Sequence, residues 1–269
     1  MIGDLFNTIL FQPLFNALVF IYQYIPNIGV AIILLTIAIK FVLYLPSQSS
    51  IRSQRRLQET QPKLQALQAK YKGNKEELGK QLMKFYKDNK VNPFSSCLPL
   101  LIQLPILIAL YQAFFAVAQT DPTTHILAAN QLERLYEPLR NLFATHPIDP
   151  TFLGFFDLSK KGNWLFALLA GAAQFWQSRM LMANQPPKVP GSKDEGMTAG
   201  INKQMMYFMP VLTVVFGLQF PAGLTLYWLV STLFTVGQQY IAFRHKPTVG
   251  QPPATVGGTS HEPSAAPTQ

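Results

Sequence analysis

Charged side chains are scarce in this sequence, and the acidic ones are the scarcer class. Asp, Glu, Lys and Arg make up 13% of the 269 residues, which is about half of the ~25% that is usual in soluble globular proteins. Hydrophobic residues account for 49%, and the mean hydropathy is +0.16. The composition argues against a soluble domain and predicts a membrane protein.

Cysteine is nearly absent. The single cysteine, Cys97, excludes an intramolecular disulfide and argues against a cysteine-based metal site. The four histidines are scattered without the spacing of metal ligands, and no Ser/His/Asp set or phosphate-binding loop occurs. We therefore expect no metal, no cofactor and no enzymatic activity.

A basic signal-peptide region is also missing, because no Lys or Arg precedes Lys40. The apolar N-terminal stretch is therefore predicted to belong to the mature protein. Elsewhere Lys and Arg, with 22 residues, outnumber Asp and Glu, with 13, which gives a net charge of +9. Such a surplus suits the anionic cytoplasmic leaflet or a nucleic acid; we expect no sequence-specific nucleic-acid binding.

What the sequence does contain is a series of long apolar segments. A transmembrane helix needs about 20 mostly apolar residues. Polar residues and Pro13 interrupt the stretch 1–26, so an interfacial helix is favoured there over the alternative of a sixth span. The predicted fold class is an all-α polytopic membrane protein with five transmembrane helices, this interfacial helix and a cytoplasmic helical hairpin. The predicted transmembrane segments are 27–47, 93–118, 163–183 and the pair 204–244, which turns at "FPAG" (220–223).

The loop charges predict an orientation. Segment 48–92 is strongly basic and 119–162 is slightly acidic, so the first is predicted to be cytoplasmic and the second external. This places the N-terminus outside, and the loop 184–203 and a disordered tail 245–269 in the cytoplasm. In 48–92, "KGNKEE" separates two amphipathic patterns and predicts the helical hairpin. In 119–162, one amphipathic helix is predicted on the membrane surface through Ile126, Leu127, Leu132, Leu135, Leu139, Leu142 and Phe143.

Lys40 lies inside the first predicted span, where a lysine at mid-helix costs about 2.5–3.5 kcal/mol on insertion scales. Snorkelling to the headgroups is one explanation. The alternative is a polar cavity, because Thr36, Lys40, Tyr44 and Ser47 share a helical face and other spans carry polar stripes. No carboxylate occurs inside the predicted spans. The predicted groove residues are Lys40, Thr36, Tyr44, Ser96, Gln103, Gln174, Gln177, Ser178, Thr225, Trp228, Thr232, Thr235 and Gln239.

Two motifs are highly specific: "VNPFSSCLPLLIQLPI" (91–106) and "FPAGLTLYW" (220–228). With them, and with the stretches 61–114, 152–160 and 204–239, the chain resembles the YidC/Oxa membrane protein insertases over about residues 5–245. The resemblance implies a groove open to the cytoplasm and to lipid, in which a basic residue attracts acidic side chains of a nascent membrane protein. It implies no nucleotide hydrolysis, and it suggests a short form without a large external domain.

The chain departs from that family pattern at Lys40, where arginine is typical, and in its tail, which lacks a long basic run. The resemblance implies a bacterial inner-membrane location and nascent membrane proteins, the lipid bilayer and the ribosome as partners, with the Sec translocon as a further candidate. Recruitment of the substrate or the ribosome is predicted for Arg52, Arg55, Arg56, Lys63, Lys70 and Lys72 of the hairpin. The competing hypotheses are a small anion transporter or channel with Lys40 as the binding charge, and a structural scaffold.

Overall fold

The computed structural model describes residues 2–71, 73–89, 98–121, 123–183 and 195–244. These residues are mainly helical, with one two-stranded antiparallel ribbon. The predicted Ser96 and Lys72 and the tail 245–269 lie outside the described residues. In chain order the elements are α1 (Ile2–Phe6), a π-helical turn (Asn7–Phe11), α2 (Gln12–Tyr24), α3 (Ile28–Val42), α4 (Tyr44–Lys70), α5 (Lys75–Asp88), α6 (Leu98–Ala118), α7 (Ala129–Leu132), α8 (Glu137–Phe143), β1 (Thr151–Phe152), β2 (Phe156–Asp157), α9 (Trp164–Ala183), α10 (Glu195–Gln219) and α11 (Ala222–Arg244).

Three helices begin where the sequence supplies an asparagine cap; at the start of α9 the Asn163 side chain accepts a hydrogen bond from the Phe166 N–H at 3.1 Å. The Asn27 side chain accepts a hydrogen bond from the Val30 N–H at the start of α3, and Asn74 accepts one from the Glu77 N–H at the start of α5. Each satisfies one of the backbone donors that the first turn leaves unpaired. The cap at Asn74 lies in the "KGNKEE" motif, and α4 and α5 contact each other on either side of it.

The first predicted span, 27–47, is not one straight helix. Helix α3 ends at Val42 and α4 begins at Tyr44. The bend between α3 and the first part of α4, Tyr44–Leu57, is 68°. Pro46 lies in the first turn of α4, where its missing N–H costs no helical hydrogen bond. We call the end of the bundle at this bend the hairpin end. The opposite end, formed by residues 119–162 and the turn at 220–223, is the loop end.

Length and apolar composition identify fewer spans than the sequence predicts. Among the described residues, Gly3–Tyr24 and Leu101–Ala118 are long and apolar enough to cross a membrane, and α3 with the start of α4 would make a bent third. The five-span arrangement therefore stays a prediction. The N-terminal helical run, predicted to be interfacial, has a length and composition that also suit a spanning helix.

The structure of the loop-end segment 119–162 differs from the prediction of one amphipathic helix on the membrane surface. It contains two short helices, α7 and α8. Four apolar residues of the segment, Leu127, Leu135, Leu139 and Phe143, are buried in the hydrophobic core with Phe11, Phe15, Leu18 and Tyr22. The amphipathic pattern is real, but its apolar side meets the N-terminal helix. Periodicity cannot distinguish a lipid surface from a protein surface, because both are apolar.

Helices α9, α10 and α11 pack closely because small residues lie between them. A Cβ placed on Gly171 of α9 would come within 2.4 Å of Val214 Cγ2 on α10, and one on Gly217 would come within 3.1 Å of Ala167 Cβ. Small residues allow such close backbone approach between helices in membranes, where the hydrophobic effect does not drive helix association. Since α11 also contacts α3, α4 and α6, it occupies the centre of the helix packing.

Candidate functional site

Lys40 faces the inside of the helix bundle. Its Nζ lies 3.5 Å from Thr235 Oγ1 on α11, whereas Phe41 and Val42, the next residues along the chain, are 65% and 81% exposed. The Phe41 ring packs edge-on to Phe234 of α11 with centroids 5.6 Å apart. The lysine ammonium is thus directed to the interface between α3 and α11 at the hairpin end.

The predicted polar stripe of the first span is divided by the bend at Leu43. Ser47 lies on α4 and donates a hydrogen bond of 3.0 Å to Gln238 Oε1 of α11. Tyr44 is 36% exposed, and its hydroxyl accepts a hydrogen bond from Gln48 on its own helix. Ser47 therefore extends the contact that Lys40 makes with α11, whereas Tyr44 turns toward the exposed side of α4.

Several predicted groove hydroxyls bond to backbone carbonyls. Thr36 is buried and donates to Ile32 O on its own helix at 2.6 Å, and buried Thr225 donates to Gly217 O of α10 at 3.0 Å. Thr235 donates to Ser231 O at 2.9 Å, so the hydroxyl oxygen can accept a hydrogen bond from Lys40. Of these three threonines, Thr235 is the one placed beside the lysine.

Gln103 joins a contact that the sequence interpretation missed. Its side-chain Nε2 donates to the hydroxyl of Tyr227, which links α6 to α11, and Tyr227 is buried. Tyr227, Ser231 and Gln238 follow one another on α11 at intervals of four and seven residues, which places them on one side of the helix. This spacing was a usable signal for a second polar face beside the predicted Thr225–Gln239 stripe.

Two adjacent glutamines on α11 retain unused polar atoms. Gln238 and Gln239 are 4% and 2% exposed. Within the described structure, Gln238 Nε2 and Gln239 Oε1 are buried and have no hydrogen-bond partner. Unpaired buried polar groups cost about 1–3 kcal/mol each. They could be satisfied by water or by a polar guest.

The remaining predicted groove residues are more dispersed. Thr232 is buried, and Gln174, Gln177 and Ser178 are half-buried along α9. Trp228 lines a small apolar cavity between α10 and α11 with Thr225 and Gly217. The structure thus brings Lys40, Thr235, Ser231, Ser47, Gln238 and Gln239 into one region along α11, which we call the α3–α11 polar face.

The basic residues of the hairpin divide into two groups. Arg52, Arg56, Lys63 and Lys70 are exposed. Arg55 instead donates through Nη1 to Ala242 O of α11 at 3.0 Å, pairs with Glu59 at 3.1 Å, and lies over the Phe243 ring at 5.9 Å. A cation at the carbonyl end of a helix stabilises it. Arg55 therefore attaches α4 to the end of α11.

In the part of the chain that the structure describes, no group of three or more His, Cys, Asp or Glu side chains is placed to hold a metal ion. The polar groups of the α3–α11 polar face are one ammonium together with hydroxyls and amides. Such groups bind carboxylates, backbone amides and water by hydrogen bonds.

Residues 20–248 match the family model described as "60Kd inner membrane protein". The chain belongs to the YidC/Oxa family. It is 34% identical over 237 residues, 88% of its own length, to a protein named "Membrane protein insertase YidC" from Lawsonia intracellularis. It is also 34% identical over 239 residues to the protein of that name from Syntrophobacter fumaroxidans, and 32% identical over 238 residues to that from Oleidesulfovibrio alaskensis, each covering 88% of this chain. The chain spans about two-fifths of the length of these curated relatives, at 38–39% of each.

Proposed function

We propose that the protein is a membrane protein insertase that draws hydrophilic segments of nascent membrane proteins to the α3–α11 polar face and releases hydrophobic segments into the bilayer. The observation that carries the proposal is the placement of the Lys40 ammonium, directed to Thr235 between two apolar helices. The names of the relatives support the activity, and the polar face supplies a physical basis for it.

The proposed attraction is electrostatic. A lysine inside an apolar helix costs about 2.5–3.5 kcal/mol to insert, and a single long hydrogen bond to a neutral hydroxyl offsets little of this. A carboxylate of a client segment would form a charge-assisted hydrogen bond worth about 1.5–3 kcal/mol. Because the two magnitudes are similar, binding would be strong enough to recruit the segment and weak enough to release it.

We infer a membrane arrangement with the hairpin end in the bacterial cytoplasm and the loop end outside. The five proposed spans are α3, α6, α9, α10 and α11, and the N-terminal run lies along the loop end. Contacts of α2 and the turn before it support this placement: Arg134 lies over the Phe11 ring at 5.2 Å, and the Tyr22 and Phe143 rings are 6.2 Å apart. Because this helical run contacts segment 119–162 near both of its ends, it lies beneath that segment. The N-terminus is then external and the C-terminus cytoplasmic.

The hairpin is the proposed recruitment element for nascent chains or the ribosome, with the Sec translocon as a further candidate partner. Arg52, Arg56, Lys63 and Lys70 support this role because they are exposed on α4. Arg55 was predicted among them, but its contacts with α11 favour an anchoring role. Deletion of residues 52–90 is expected to weaken insertion in reconstituted vesicles, and unchanged insertion would contradict the role of the hairpin.

Substitution of Lys40 tests the proposed attraction. In proteoliposomes, Lys40→Arg should retain insertion, whereas Lys40→Glu should slow insertion of a client with an acidic external segment by about tenfold, or about 1.4 kcal/mol in the barrier. A client whose acidic residues are replaced by Ser and Gln is the matched control, and it should respond weakly to either variant. If Lys40→Ala and Lys40→Glu insert both clients at the normal rate, the charge has no role.

Crosslinking tests the location of the client. A photoreactive residue at Thr235 or Ser47 should crosslink to the hydrophilic segment of a stalled nascent chain, while one at the exposed Val42 should not. The competing anion transporter or channel would instead take up a small anion such as chloride into liposomes that contain only this protein. Anion uptake without client insertion would overturn the proposed function.

A further inference from the structure

The loop-end β-ribbon presents an exposed apolar tip, in which the Phe155 ring packs on that of Phe156 with centroids 4.3 Å apart. Leu153 and Phe155 are 59% and 70% exposed. They lie between β1 and β2, in which Thr151 pairs with Asp157 and Phe152 with Phe156. Two large apolar side chains at the end of a short ribbon are unusual on a surface that faces water. The proposed insertase activity does not use them.

The ribbon packs against the first turns of two helices, α3 and α9. The Phe152 ring lies against Gly29, the second residue of α3, and a Cβ there would come within 2.0 Å of Phe152 Cδ2. The rings of Phe152 and Phe156 pack on Phe166 of α9, with centroids 6.3 Å and 4.9 Å apart. Phe166 follows the first α9 residue, Trp164, by two positions, or about 3 Å of helical rise.

The two faces of the ribbon differ in polarity. Side chains of successive strand residues point to opposite faces, and Phe152 and Phe156 occupy the face toward α3 and α9. The opposite face is polar at its base: Thr151 Oγ1 donates to Asp149, and Asp157 accepts from Ser159 and pairs with Lys160 at 3.0 Å. Burial by itself would raise the pKa of Asp157. Hydrogen bonds from Ser159 and Lys160 outweigh this effect and lower the pKa, so the Asp157 carboxylate stays ionised.

The backbone of the turn is held in a conformation that suits glycine. Leu153 and Gly154 have φ of 54° and 77°, and the Phe155 N–H donates to Phe152 O. Positive φ at both central residues is normally supplied by Asn, Asp or Gly. A leucine is disfavoured there, and its bulky side chain points outward. Strain of this kind is found where a side chain has a function.

We propose that Leu153 and Phe155 insert into the lipid interface at the loop end of the bundle and anchor the ribbon there. The strands that carry them pack against the first turns of α3 and α9, where a membrane boundary would offer apolar surface beside headgroups. Trp164, 67% exposed at the start of α9, is a residue type typical of that boundary. The adjacent exposed Lys160 and Lys161 suit anionic headgroups.

Spin-label accessibility tests the proposal in the full chain with Cys97→Ser, reconstituted in phosphatidylethanolamine and phosphatidylglycerol vesicles. Labels are attached at Leu153→Cys, at Phe155→Cys and, as a control at the loop end, at the exposed Thr145→Cys. Collisions with oxygen report lipid, and collisions with a water-soluble nickel complex report water. At 153 and 155 the oxygen-to-nickel ratio should be several-fold higher than at 145.

Two other results would overturn the proposal. A ratio at 155 equal to that at 145 would mean that the tip is in water. Low collision rates with both reagents would mean that a second copy of the chain or another protein covers it. The readout is independent of client insertion, so its failure would not count against the proposed function.

A pair of substitutions separates apolar anchoring from turn geometry. Leu153→Asn tolerates a positive φ but removes the apolar group, and Leu153→Met keeps an apolar group with the same backbone strain. With the label at 155, Leu153→Asn should lower the oxygen-to-nickel ratio several-fold and Leu153→Met should preserve it. An unchanged ratio in Leu153→Asn would contradict a role for Leu153 in anchoring.

Discussion

The two ends of the bundle treat buried polar groups differently. At the loop end, Asn16 Nδ2 donates to Arg134 O at 3.1 Å, Asn16 Oδ1 accepts from the Tyr136 N–H at 2.6 Å, and the Tyr22 hydroxyl accepts from the Asp149 N–H at 2.9 Å. At the hairpin end, Lys40 makes a long contact with Thr235, and Gln238 and Gln239 keep buried polar atoms without partners.

This difference agrees with the proposal that a client enters at the hairpin end. Long-range hydrogen bonds of Asn16 and Tyr22 fix the loop segment on the N-terminal helix, although Gln131 Oε1 is left without a partner there. Incompletely paired groups cost free energy unless water or a guest completes them. This contrast supports the proposal that the loop end acts as a rigid cover and the hairpin end as a binding surface.

The largest expected effect on the free energy of unfolding comes from removing the side-chain hydrogen bonds of Asn16 at the loop end. Asn16→Ala removes both long-range hydrogen bonds and leaves the Tyr136 N–H and the Arg134 carbonyl without this partner. We expect a loss of about 2–4 kcal/mol in the free energy of unfolding, since each unpaired buried group costs about 1–3 kcal/mol. Denaturation in detergent micelles measures it.

Asn141 offers a matched control for Asn16, because it lies exposed on α8. Asn141→Ala should change stability by less than about 0.5 kcal/mol. Equal effects of the two substitutions would contradict the view that paired polar groups hold the loop end together.

A smaller effect is expected where the hairpin joins the bundle. Arg55→Ala removes the bond to Ala242 O and the contact with Phe243, which together are worth about 1–3 kcal/mol. The orientation of α4 relative to α11 should become broader. Electron–electron distance distributions between spin labels at the exposed Ala66 of α4 and at Gly237 of α11, in a Cys97→Ser background, measure this.

Arg52→Ala and Arg56→Ala are the controls, because both side chains are exposed on the same helix. Neither should broaden the distances, although both should weaken recruitment if the exposed charges bind a partner. If Arg55→Ala leaves the distribution as narrow as in these controls, Arg55 is not an anchor.

The smallest effect on stability is expected at the hairpin end. Gln239→Met removes a buried polar atom that has no partner and nearly preserves side-chain volume, so stability should stay within about 1 kcal/mol of the parent or increase. Insertion of a hydrophilic client segment should nevertheless slow by about two- to threefold. A marked loss of stability together with normal insertion would show that Gln239 serves the fold and not the guest.

The sequence alone was sufficient to recognise the family, and the comparisons confirm it. It also predicted a helical membrane protein and the asparagine cap at Asn74, because composition and short-range capping signals are local properties. Lys40 was identifiable as unusual since a charge in an apolar run is visible without a structure. The split of 27–47 at Leu43 was missed, although Pro46 in "KFVLYLP" was a usable signal, because proline is tolerated in the first turn of a helix and not in its interior.

What only the tertiary structure decided is which apolar and polar faces meet. The pattern over 126–143 predicted a lipid-facing helix, but Leu127, Leu135, Leu139 and Phe143 are buried in one core with Phe11, Phe15 and Tyr22. Likewise Thr36, Thr225 and Thr235 are chemically alike, and only Thr235 reaches Lys40. The physical reason is that helical periodicity fixes which residues share a face, whereas the neighbour of that face depends on contacts between residues far apart in the chain.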